Sequence, residues 1–421
     1  MKIAVPRETA EGETRVALTP LIAGQLAGDG VEVLVQAGAG DASSNPDELY
    51  REAGATIVPD VAALYSQADV VLRVGRPSDE EVEMLREGTV LIGTLGTLAK
   101  PELAQKLAKR GVTAISMDAI PRITRAQSMD TLSSQATVGG YKAVLIAAER
   151  LPKFFPLLTT AAGTIRPARG IIMGAGVAGL MAIGTARRLG AVVEATDVRP
   201  AVKEQVQSLG GTFIEVEMTE EEKAQAETSG GYAREMSDDY KRRQAELIAE
   251  RVKEADFVIT TALIPGRPAP KLVTEEMVQS MKPGSVIVDM AAEMGGNCEL
   301  TEAGREVVKH GVRIVGLTNL PATMPGSATQ MYAKNLQTLL KHLIADGKID
   351  LDFSDEITRG ATITHDGKVI HEATAQALGI EVVEPETNAD APAEAPAADA
   401  AAGTATNAPS TAPAADKEPT N

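Results

Sequence analysis

The chain has 421 residues, of which 44% are hydrophobic and 3% aromatic, and its formal net charge is −17. This length can form two ordinary domains with their own cores, whereas the acidic balance argues against a nucleic-acid partner, which needs clustered Lys and Arg. The single cysteine, Cys298, excludes an internal disulfide framework, and no stretch approaches about 18 consecutive apolar residues, so we expect a soluble, cytoplasmic chain without a direct membrane span.

The first 135 residues alternate short β-rich runs with helical patterns, which is typical of a parallel sheet covered on both faces by helices. The predicted strands of this region are Lys2–Val5, Val31–Gln36, Thr56–Val58, Val70–Val74, Val90–Leu95 and Thr113–Met117. From Ser133 to Leu151 the pattern becomes that of a long helix, with Tyr141 and Val144 on one apolar stripe. We expect this helix to cross between two domains.

Polar side chains of different types are concentrated between Pro121 and the start of this helix. Arg, Gln, Asp and Ser side chains at such close spacing offer the matched donors and acceptors that can hold the carboxamide of a nicotinamide, and an arginine can face a phosphate. The alternative interpretation is a solvated loop in which Asp130 or Ser133 caps the helix. The residues of this loop leave both interpretations open.

A second alternating set of strands and helices begins with an apolar strand at Ile171 that ends in the motif G-x-G-x-x-G. In a dinucleotide site, Gly174 would make the tight turn, Gly176 would let the backbone approach the pyrophosphate, and Gly179 would let helix and strand pack closely. The phosphates would then lie on the free N–H groups at the start of the helix. The alternative is a glycine-rich turn between strand and helix that binds no ligand.

An acidic residue stands at the end of the next predicted strand. The strand Val192–Thr196 is followed by Asp197, 18 residues after Gly179. A carboxylate there can accept hydrogen bonds from the ribose hydroxyls and repel a 2′-phosphate, which favours NAD(H) over NADP(H). Arg199, two residues on, weakens this preference.

Four further strands complete a six-stranded nucleotide-binding sheet, namely Thr212–Val216, Phe257–Thr261, Val286–Met290 and Arg313–Gly316. Between the first two of these lies a charged insertion from about Glu217 to Arg243, with Gly230 and Gly231 beside Tyr232. This composition is typical of a mobile loop that places an aromatic ring, but a surface excursion with a locally packed Tyr232 is equally consistent with it.

The helical run Gln330–Ile344 is predicted to return the chain to the first domain, and residues 361–371 form a predicted hairpin around Asp366 and Gly367. From Glu384 onward Ala, Pro, Thr, Asn and acids dominate, which predicts disorder. The expected fold class is α/β, with two doubly wound parallel-sheet, Rossmann-like domains joined by long helices and a disordered C-terminal tail. The expected domains are 1–135 plus about 330–380, 136–329 for NAD(H), and the tail 384–421.

Several motifs in the same order and spacing make the chain resemble the NAD(H)-binding alpha subunit, or domain I, of proton-translocating NAD(P) transhydrogenases. The resemblance runs from Lys2 to about Ala373 and leaves out the tail. The motifs that carry it are Arg15–Pro20, Arg122–Ser133, Gly174–Gly179, Asp197–Arg199, Gly230–Ala233 and Thr260–Gly266.

This resemblance implies roles for individual residues. Gln127, Arg122, Asp130 and Ser133 would be the catalytic residues of the loop that holds the dihydronicotinamide, with Gln127 where this ring meets the nicotinamide of NADP on a partner. Tyr232 would lie on a mobile loop that closes over NAD(H). The full set of expected cofactor-binding residues is Arg122, Arg125, Gln127, Ser128, Met129, Asp130, Gly174, Gly176, Val177, Gly179, Asp197, Val198, Arg199, Gly231, Tyr232, Gln244 and Leu263.

The resemblance also implies a reaction and partners. The reaction is direct hydride transfer from NADH to NADP, coupled in the whole complex to proton movement through a membrane subunit. This chain would bind NAD(H), and NADP(H) would be bound by the partner only. The expected partners are a membrane-spanning alpha-type subunit, an NADP-binding beta subunit and a second copy of this chain, which would make a homodimer at the surface of the inner membrane. We predict no metal site.

Two other functions are compatible with the fold. The chain also resembles alanine dehydrogenases, which use a Lys and a His in the first domain, but Gly75 and Gly96 stand at the matching positions and Glu293 stands where they use Asp. Because glycine cannot shuttle a proton, oxidation of an amino acid is disfavoured. The remaining alternative is a non-catalytic NAD-binding module such as a redox sensor.

Overall fold

The structure is a computed structural model that describes residues 1–216, 238–263 and 267–385. An eight-stranded and a seven-stranded sheet organise these residues, and each sheet has apolar clusters on both faces. The predicted α/β fold with two doubly wound sheets is therefore confirmed. Most of the predicted tail, from residue 386 on, and residues 217–237 of the predicted insertion lie outside the described residues.

The strands are, in chain order, β1 (Lys2–Val5), β2 (Glu32–Gln36), β3 (Thr56–Val58), β4 (Val70–Leu72), β5 (Val90–Gly93), β6 (Thr113–Ser116), β7 (Leu158–Thr160), β8 (Gly163–Ile165), β9 (Arg169–Met173), β10 (Val192–Thr196), β11 (Thr212–Phe213), β12 (Phe257–Thr260), β13 (Val286–Asp289), β14 (Glu306–Lys309), β15 (Val312–Val315), β16 (Ile344–Ala345), β17 (Lys348–Ile349), β18 (Thr362–His365) and β19 (Lys368–Val369).

The α-helices are α1 (Pro20–Gly28), α2 (Asp47–Glu52), α3 (Val61–Gln67), α4 (Asp79–Met84), α5 (Glu102–Lys109), α6 (Thr131–Arg150), α7 (Val177–Arg188), α8 (Lys203–Ser208), α9 (Asp238–Glu254), α10 (Glu275–Ser280), α11 (Pro325–Leu343), α12 (Glu356–Ala361) and α13 (Glu372–Leu378).

The first sheet has the strand order β19-β18-β6-β5-β4-β1-β2-β3, and β1 to β6 are parallel. Its central strands are buried on both faces, which explains why they are continuously apolar rather than alternating. Ile3 and Val5 pack on the side of α1 and α11, whereas Ala4 packs on the side of α3 and α5. Strand order reverses between β1 and β4.

The predicted hairpin is confirmed and adds an antiparallel edge to this otherwise parallel sheet. β18 pairs antiparallel with β6 and with β19. Asp366 and Gly367 connect β18 and β19 with φ of +47° and +73°, the positive values that a two-residue type I′ turn requires. The second hairpin strand ends at Val369 rather than His371.

The second sheet has the order β11-β10-β9-β12-β13-β15-β14 and one more strand than predicted. The additional strand is β14, which pairs antiparallel with β15 at the edge. Its sequence Glu-Val-Val-Lys is polar at both ends and half-exposed, so it lacks the apolar run that marked the central strands. β11 is also shorter than predicted and ends at Phe213.

Two long helices connect the sheets. α6 begins after Asp130, whose carboxylate caps the Ser133 N–H, so it starts earlier than the predicted Ser133. α11 begins at Pro325 rather than Gln330, because proline suits the first turn of a helix. α6 packs closely on α7, since a Cβ on Gly140 would lie 2.2 Å from the carbonyl oxygen of Ala178.

In the described ranges, no helix is both long enough and apolar enough to cross a bilayer. β7 and β8 form a small antiparallel hairpin that projects after α6. This hairpin was not predicted from the sequence, because its strands have only three residues each and are mostly exposed.

Candidate functional site

The G-x-G-x-x-G motif forms the turn between β9 and α7. Gly174 has φ +102°, which favours glycine, and a Cβ there would lie 2.4 Å from Thr261 Oγ1. A Cβ on Gly179 would lie 1.8 Å from the carbonyl oxygen of Gly174. Both positions therefore require glycine, one for the tight turn and the other for close packing of helix against strand.

A Cβ on Gly176 would make only ordinary van der Waals contact. The nearest atom to a Cβ built there is Arg199 Nη2, at 3.8 Å. Gly176 is also the N-cap of α7, where none of the described side chains caps the first turn, and Val177 is 42% exposed. The first N–H groups of a helix need an acceptor, so this turn has both the space and the donors to bind a pyrophosphate.

Asp197 follows β10 and accepts four hydrogen bonds from the protein. Its Oδ2 accepts from the Ala175 N–H (2.7 Å) and from Arg199 Nη2 (2.9 Å), and its Oδ1 accepts from the N–H and Nε of Arg199, both at 2.9 Å. Burial alone would raise the pKa of Asp197, but these hydrogen bonds and the Arg199 charge hold that pKa below its ordinary value. The carboxylate is therefore ionised at neutral pH.

The Asp197–Arg199 pair places a carboxylate and a guanidinium side by side at the turn formed by Gly174–Gly179, which we call the fingerprint turn. Since a carboxylate has about four acceptor positions, protein donors already occupy those of Asp197. A ribose hydroxyl would have to share them or displace Arg199. The sequence predicted both residues at this place but not the bidentate pair between them.

The loop after β12 lies against the fingerprint turn. Thr261 Oγ1 donates to the carbonyl oxygen of Gly174 at 3.1 Å. The next residue, Ala262, is held at both backbone groups by Asn297: its N–H donates to Oδ1 (3.0 Å) and its carbonyl accepts from Nδ2 (2.9 Å). Leu263 follows and is 53% exposed. The loop thus presents Leu263 toward solvent from a fixed base.

Asn297 was not among the residues predicted from the sequence. Its side chain is fully buried, and Nδ2 also donates to the Pro270 carbonyl (2.8 Å). No pattern around it in the sequence marks this role, because its partners lie 27 and 35 residues away.

In the loop between β6 and α6, residues 124–129 form a 3₁₀-helix. Arg122 before this helix and Gln127 within it are both exposed. Asp130 Oδ1 accepts from the Ser133 N–H (2.9 Å), and Ser133 Oγ donates to Asp130 Oδ2 (2.6 Å). Asp130 and Ser133 are therefore a helix cap, as the alternative interpretation stated. A cap leaves room for ligand contacts, because each oxygen can accept more than one hydrogen bond.

Three other expected cofactor-binding residues of this loop contact the protein. Arg125 forms ion pairs with Asp355 (2.5 Å) and Glu356 (3.6 Å). The Ser128 carbonyl accepts a hydrogen bond from Asn335 Nδ2 on α11 at 2.8 Å. Met129 is buried in the apolar cluster on the α1 and α11 side of the first sheet. These contacts hold the loop on α11 and α12.

Of the remaining expected residues, Val198 is 37% exposed beside Asp197, and Gln244 is half-buried on α9. Gly231 and Tyr232 lie outside the described residues.

α6 connects the two halves of the candidate site. Its first turn holds Asp130 and Ser133, and Gly140 packs against the backbone of Ala178 in the first turn of α7. The ten residues from Asp130 to Gly140 rise about 15 Å along the helix axis. The loop before α6 and the turn before α7 are therefore separated by about this distance. The open Gly176 turn, the uncapped α7 and the exposed polar loop fit a dinucleotide that extends along this helix.

The chain matches the domain families "Alanine dehydrogenase/PNT, N-terminal domain" over residues 4–139 and "Alanine dehydrogenase/PNT, C-terminal domain" over residues 143–372. It is 50% identical over 380 residues to an NAD(P) transhydrogenase subunit alpha protein of Rhodospirillum rubrum, covering 89% of this chain and 98% of that protein.

Two further proteins are similar to this chain over most of its length. A crystal structure of the transhydrogenase from Sinorhizobium meliloti superimposes with a TM-score of 0.77 at 45% identity, covering 89% of this chain and all of that one. The alanine dehydrogenase of Bacillus subtilis is 34% identical over 394 residues, covering 91% of this chain and 96% of that enzyme.

Proposed function

The chain belongs to the alanine dehydrogenase/PNT family, among its NAD(P) transhydrogenase alpha subunits, and we propose that it binds NADH and passes hydride to NADP on a partner subunit. The observation that supports this most directly is the pairing of an open fingerprint turn at Gly176 with an exposed polar loop at Gln127, joined by α6. In this proposal NADH, when bound, supplies the hydride.

In this proposal the protein's residues bind NADH and orient it. The first turn of α7 donates N–H groups to the pyrophosphate, and Gly176 leaves space for it. Asp197 and Arg199 contact the adenosine ribose, and Leu263 covers the adenine. Gly231, Tyr232, Val198 and Gln244 complete the proposed nucleotide contacts.

At the other end, Arg122, Gln127, Asp130 and Ser133 hold the nicotinamide carboxamide, with Arg125, Ser128 and Met129 shaping their loop. Gln127 is exposed, so it can lie where a second nicotinamide approaches from the partner. A loop of this kind contributes to the rate mainly by positioning, since distance and angle between the reacting carbons determine the proximity advantage.

Oxidation of alanine fits the structure less well. Gly96 has φ +60°, a conformation that a side chain rarely adopts, and Gly75 places no side chain beside the buried Glu8. Neither position can supply a proton-accepting group. The isolated chain should therefore fail to reduce NAD with L-alanine.

The proposed assembly has three kinds of partner. An NADP-binding beta subunit receives the hydride, and a membrane-spanning alpha-type subunit couples the reaction to proton translocation and holds this chain at the cytoplasmic face of the inner membrane. A second copy of the chain forms a homodimer. Exposed apolar side chains around the β7–β8 hairpin, namely Phe154 (56%), Leu157 (59%) and Ile165 (40%), favour this self-association.

The test is Gln127→Asn, which keeps the amide but shortens its reach. We expect NADH binding within a few-fold of the unmodified chain, on the order of 1 kcal/mol or less, and hydride transfer slower by on the order of tenfold or more. The measurement is reduction of an NADP analogue by NADH in a complex with an NADP-binding subunit. A full transfer rate in the variant, or robust alanine oxidation by the chain alone, would contradict the proposal.

A further inference from the structure

Arg15 belongs to the N-terminal motif Arg-Val-Ala-Leu-Thr-Pro, to which the proposed reaction assigns no role. Its guanidinium forms a bidentate ion pair with Glu13, with Nε at 2.8 Å from Oε1 and Nη2 at 2.6 Å from Oε2. Nη1 donates to Gln135 Oε1 (2.8 Å), and Nη2 donates to Asn319 Oδ1 (3.0 Å). All these contacts are with the protein.

The four side chains come from three separate regions of the molecule. Glu13 and Arg15 lie in the loop after β1, Gln135 lies in the second turn of α6, and Asn319 lies between β15 and α11. Gln135 follows Ser133 by two residues, which is about 3 Å along the helix axis. Arg15 therefore connects the helix that begins at the nicotinamide loop to the carboxyl edge of the nucleotide-binding sheet.

Asn319 is itself held in one conformation. Its φ is +49°, its N–H donates to Glu293 Oε1 (2.7 Å), and its Nδ2 donates to Glu13 Oε2 (2.9 Å). Thr14 Oγ1 adds a hydrogen bond to the Ala322 carbonyl. Three residues of the loop after β1, Glu13, Thr14 and Arg15, thus contact the segment that leaves the second sheet.

The ion pair is shielded from solvent, since the side chains of Arg15 and Glu13 are 11% and 5% exposed. Burial alone would raise the pKa of Glu13, but its hydrogen bonds and the Arg15 charge lower it. A buried, hydrogen-bonded ion pair resists displacement much more than an exposed one, because breaking it leaves an uncompensated charge. The Glu13–Arg15 ion pair is therefore suited to fixing the distance between the parts of the molecule that it connects.

We infer that Arg15 and Glu13 are positioning residues for the proposed hydride transfer: they fix the nicotinamide loop relative to the nucleotide-binding domain without contacting the nucleotide. This inference rests on the proposed function. Arginine is needed because its planar fork serves Glu13 in a bidentate pair while still reaching Gln135 and Asn319, which a lysine ammonium cannot do at once.

The experiment compares Arg15→Lys with the unmodified chain. Because the nucleotide contacts stay in place, the Kd for NADH should remain within about threefold. Hydride transfer to the NADP-binding subunit should fall by about tenfold or more, since the loop loses its fixed position. The matched control is Arg51→Lys, because Arg51 pairs with Asp47 and Glu48 in the same domain but is half exposed, and it should leave both quantities unchanged.

An unchanged transfer rate in Arg15→Lys, or an equal loss of binding and rate, overturns the inference. Should Arg15→Lys fail to fold, Gln135→Ala at this half-buried position removes the acceptor of Arg15 Nη1, together with the hydrogen bond from Gln135 Nε2 to the Ala328 carbonyl (3.1 Å), and should give the same separation of rate from binding.

A failure of the proposed function itself is recognised separately, because the unmodified chain would then give no transfer. In that case the fluorescence emission of NADH bound to the isolated chain tests the positioning. It should change in Arg15→Lys relative to both the unmodified chain and Arg51→Lys at equal saturation, and an identical emission spectrum refutes the inference.

Discussion

The two sheets have the same doubly wound topology, and each has a point where strand order reverses, β1/β4 in the first and β9/β12 in the second. Such points are where ligands bind in open α/β sheets. In the second sheet this edge is open at Gly176. In the first sheet it is filled by Arg73, whose side chain is fully buried.

The contacts of Arg73 show how the first edge is closed. Its Nη2 donates to Glu8 Oε2 (3.0 Å), it forms a second ion pair with Glu81, and its Nη1 donates to Tyr65 Oη (3.1 Å). Its carbonyl accepts from Tyr332 Oη (2.7 Å). Topology thus provides the same kind of edge in both sheets, and the residues that follow the central strands determine whether that edge stays open or becomes core.

The largest expected effect tests the closed edge. Arg73→Met removes the cation between Glu8 and Glu81 and leaves two carboxylates buried without it, which should cost about 3–5 kcal/mol of unfolding free energy. Urea unfolding measures this loss, with the exposed Arg51→Met as control. A loss below about 1 kcal/mol would mean that this network does not stabilise the first domain.

At the open edge of the second sheet, changes at Gly176 and Gly179 should differ in their effect on stability but not in weakening NADH binding. Gly179→Ala should lower stability by about 1–3 kcal/mol and weaken NADH binding, because its Cβ meets the Gly174 carbonyl. Gly176→Ala should keep stability within about 0.5 kcal/mol and still weaken NADH binding by about tenfold, because the methyl group occupies ligand space. Gly75→Ala at the closed edge is the control and should change neither. Equal stability losses at 176 and 179 would contradict the distinction.

Selectivity at the open edge is the next expected effect. The unmodified chain should bind NADH clearly more tightly than NADPH in a fluorescence titration, and Asp197→Ala should narrow the gap by about tenfold. Part of that change comes from the release of Arg199, so the double variant Asp197→Ala, Arg199→Ala should lose the gain in NADPH affinity. Equal binding of both nucleotides to the unmodified chain would refute the selectivity.

The smallest expected effect is the pH dependence of Asp197. Because its folded-state pKa lies below the ordinary value, its contribution to stability is present above about pH 4 and is lost as pH falls through the lowered pKa. Asp197→Asn should therefore cost about 1–2 kcal/mol at neutral pH and less at about pH 3, below the ordinary pKa of an aspartate. Asp79→Asn, at an exposed carboxylate, is the control for urea unfolding at both pH values. A cost that does not vary with pH would exclude the ionised carboxylate as its source.

Features set by short stretches of chain were predictable from the sequence. The glycines at 174 and 179 and the turn at Asp366 and Gly367 depend on local backbone geometry, so their spacing sufficed. Asn297 and the Arg125–Asp355 pair depend on partners far away in the chain, which no local pattern reveals. β14 was missed for a different reason, since an edge strand needs no apolar run.

The return of β18 and β19 to the first sheet has a consequence for how the chain folds during synthesis. Thr364 pairs with Ala114, 250 residues earlier, so the edge of β6 stays open until nearly the whole described chain has been made. The second sheet, by contrast, is complete at residue 315. The second sheet can therefore fold on the ribosome before the first sheet is complete, and the exposed β6 edge is the place where a stalled or truncated product would aggregate.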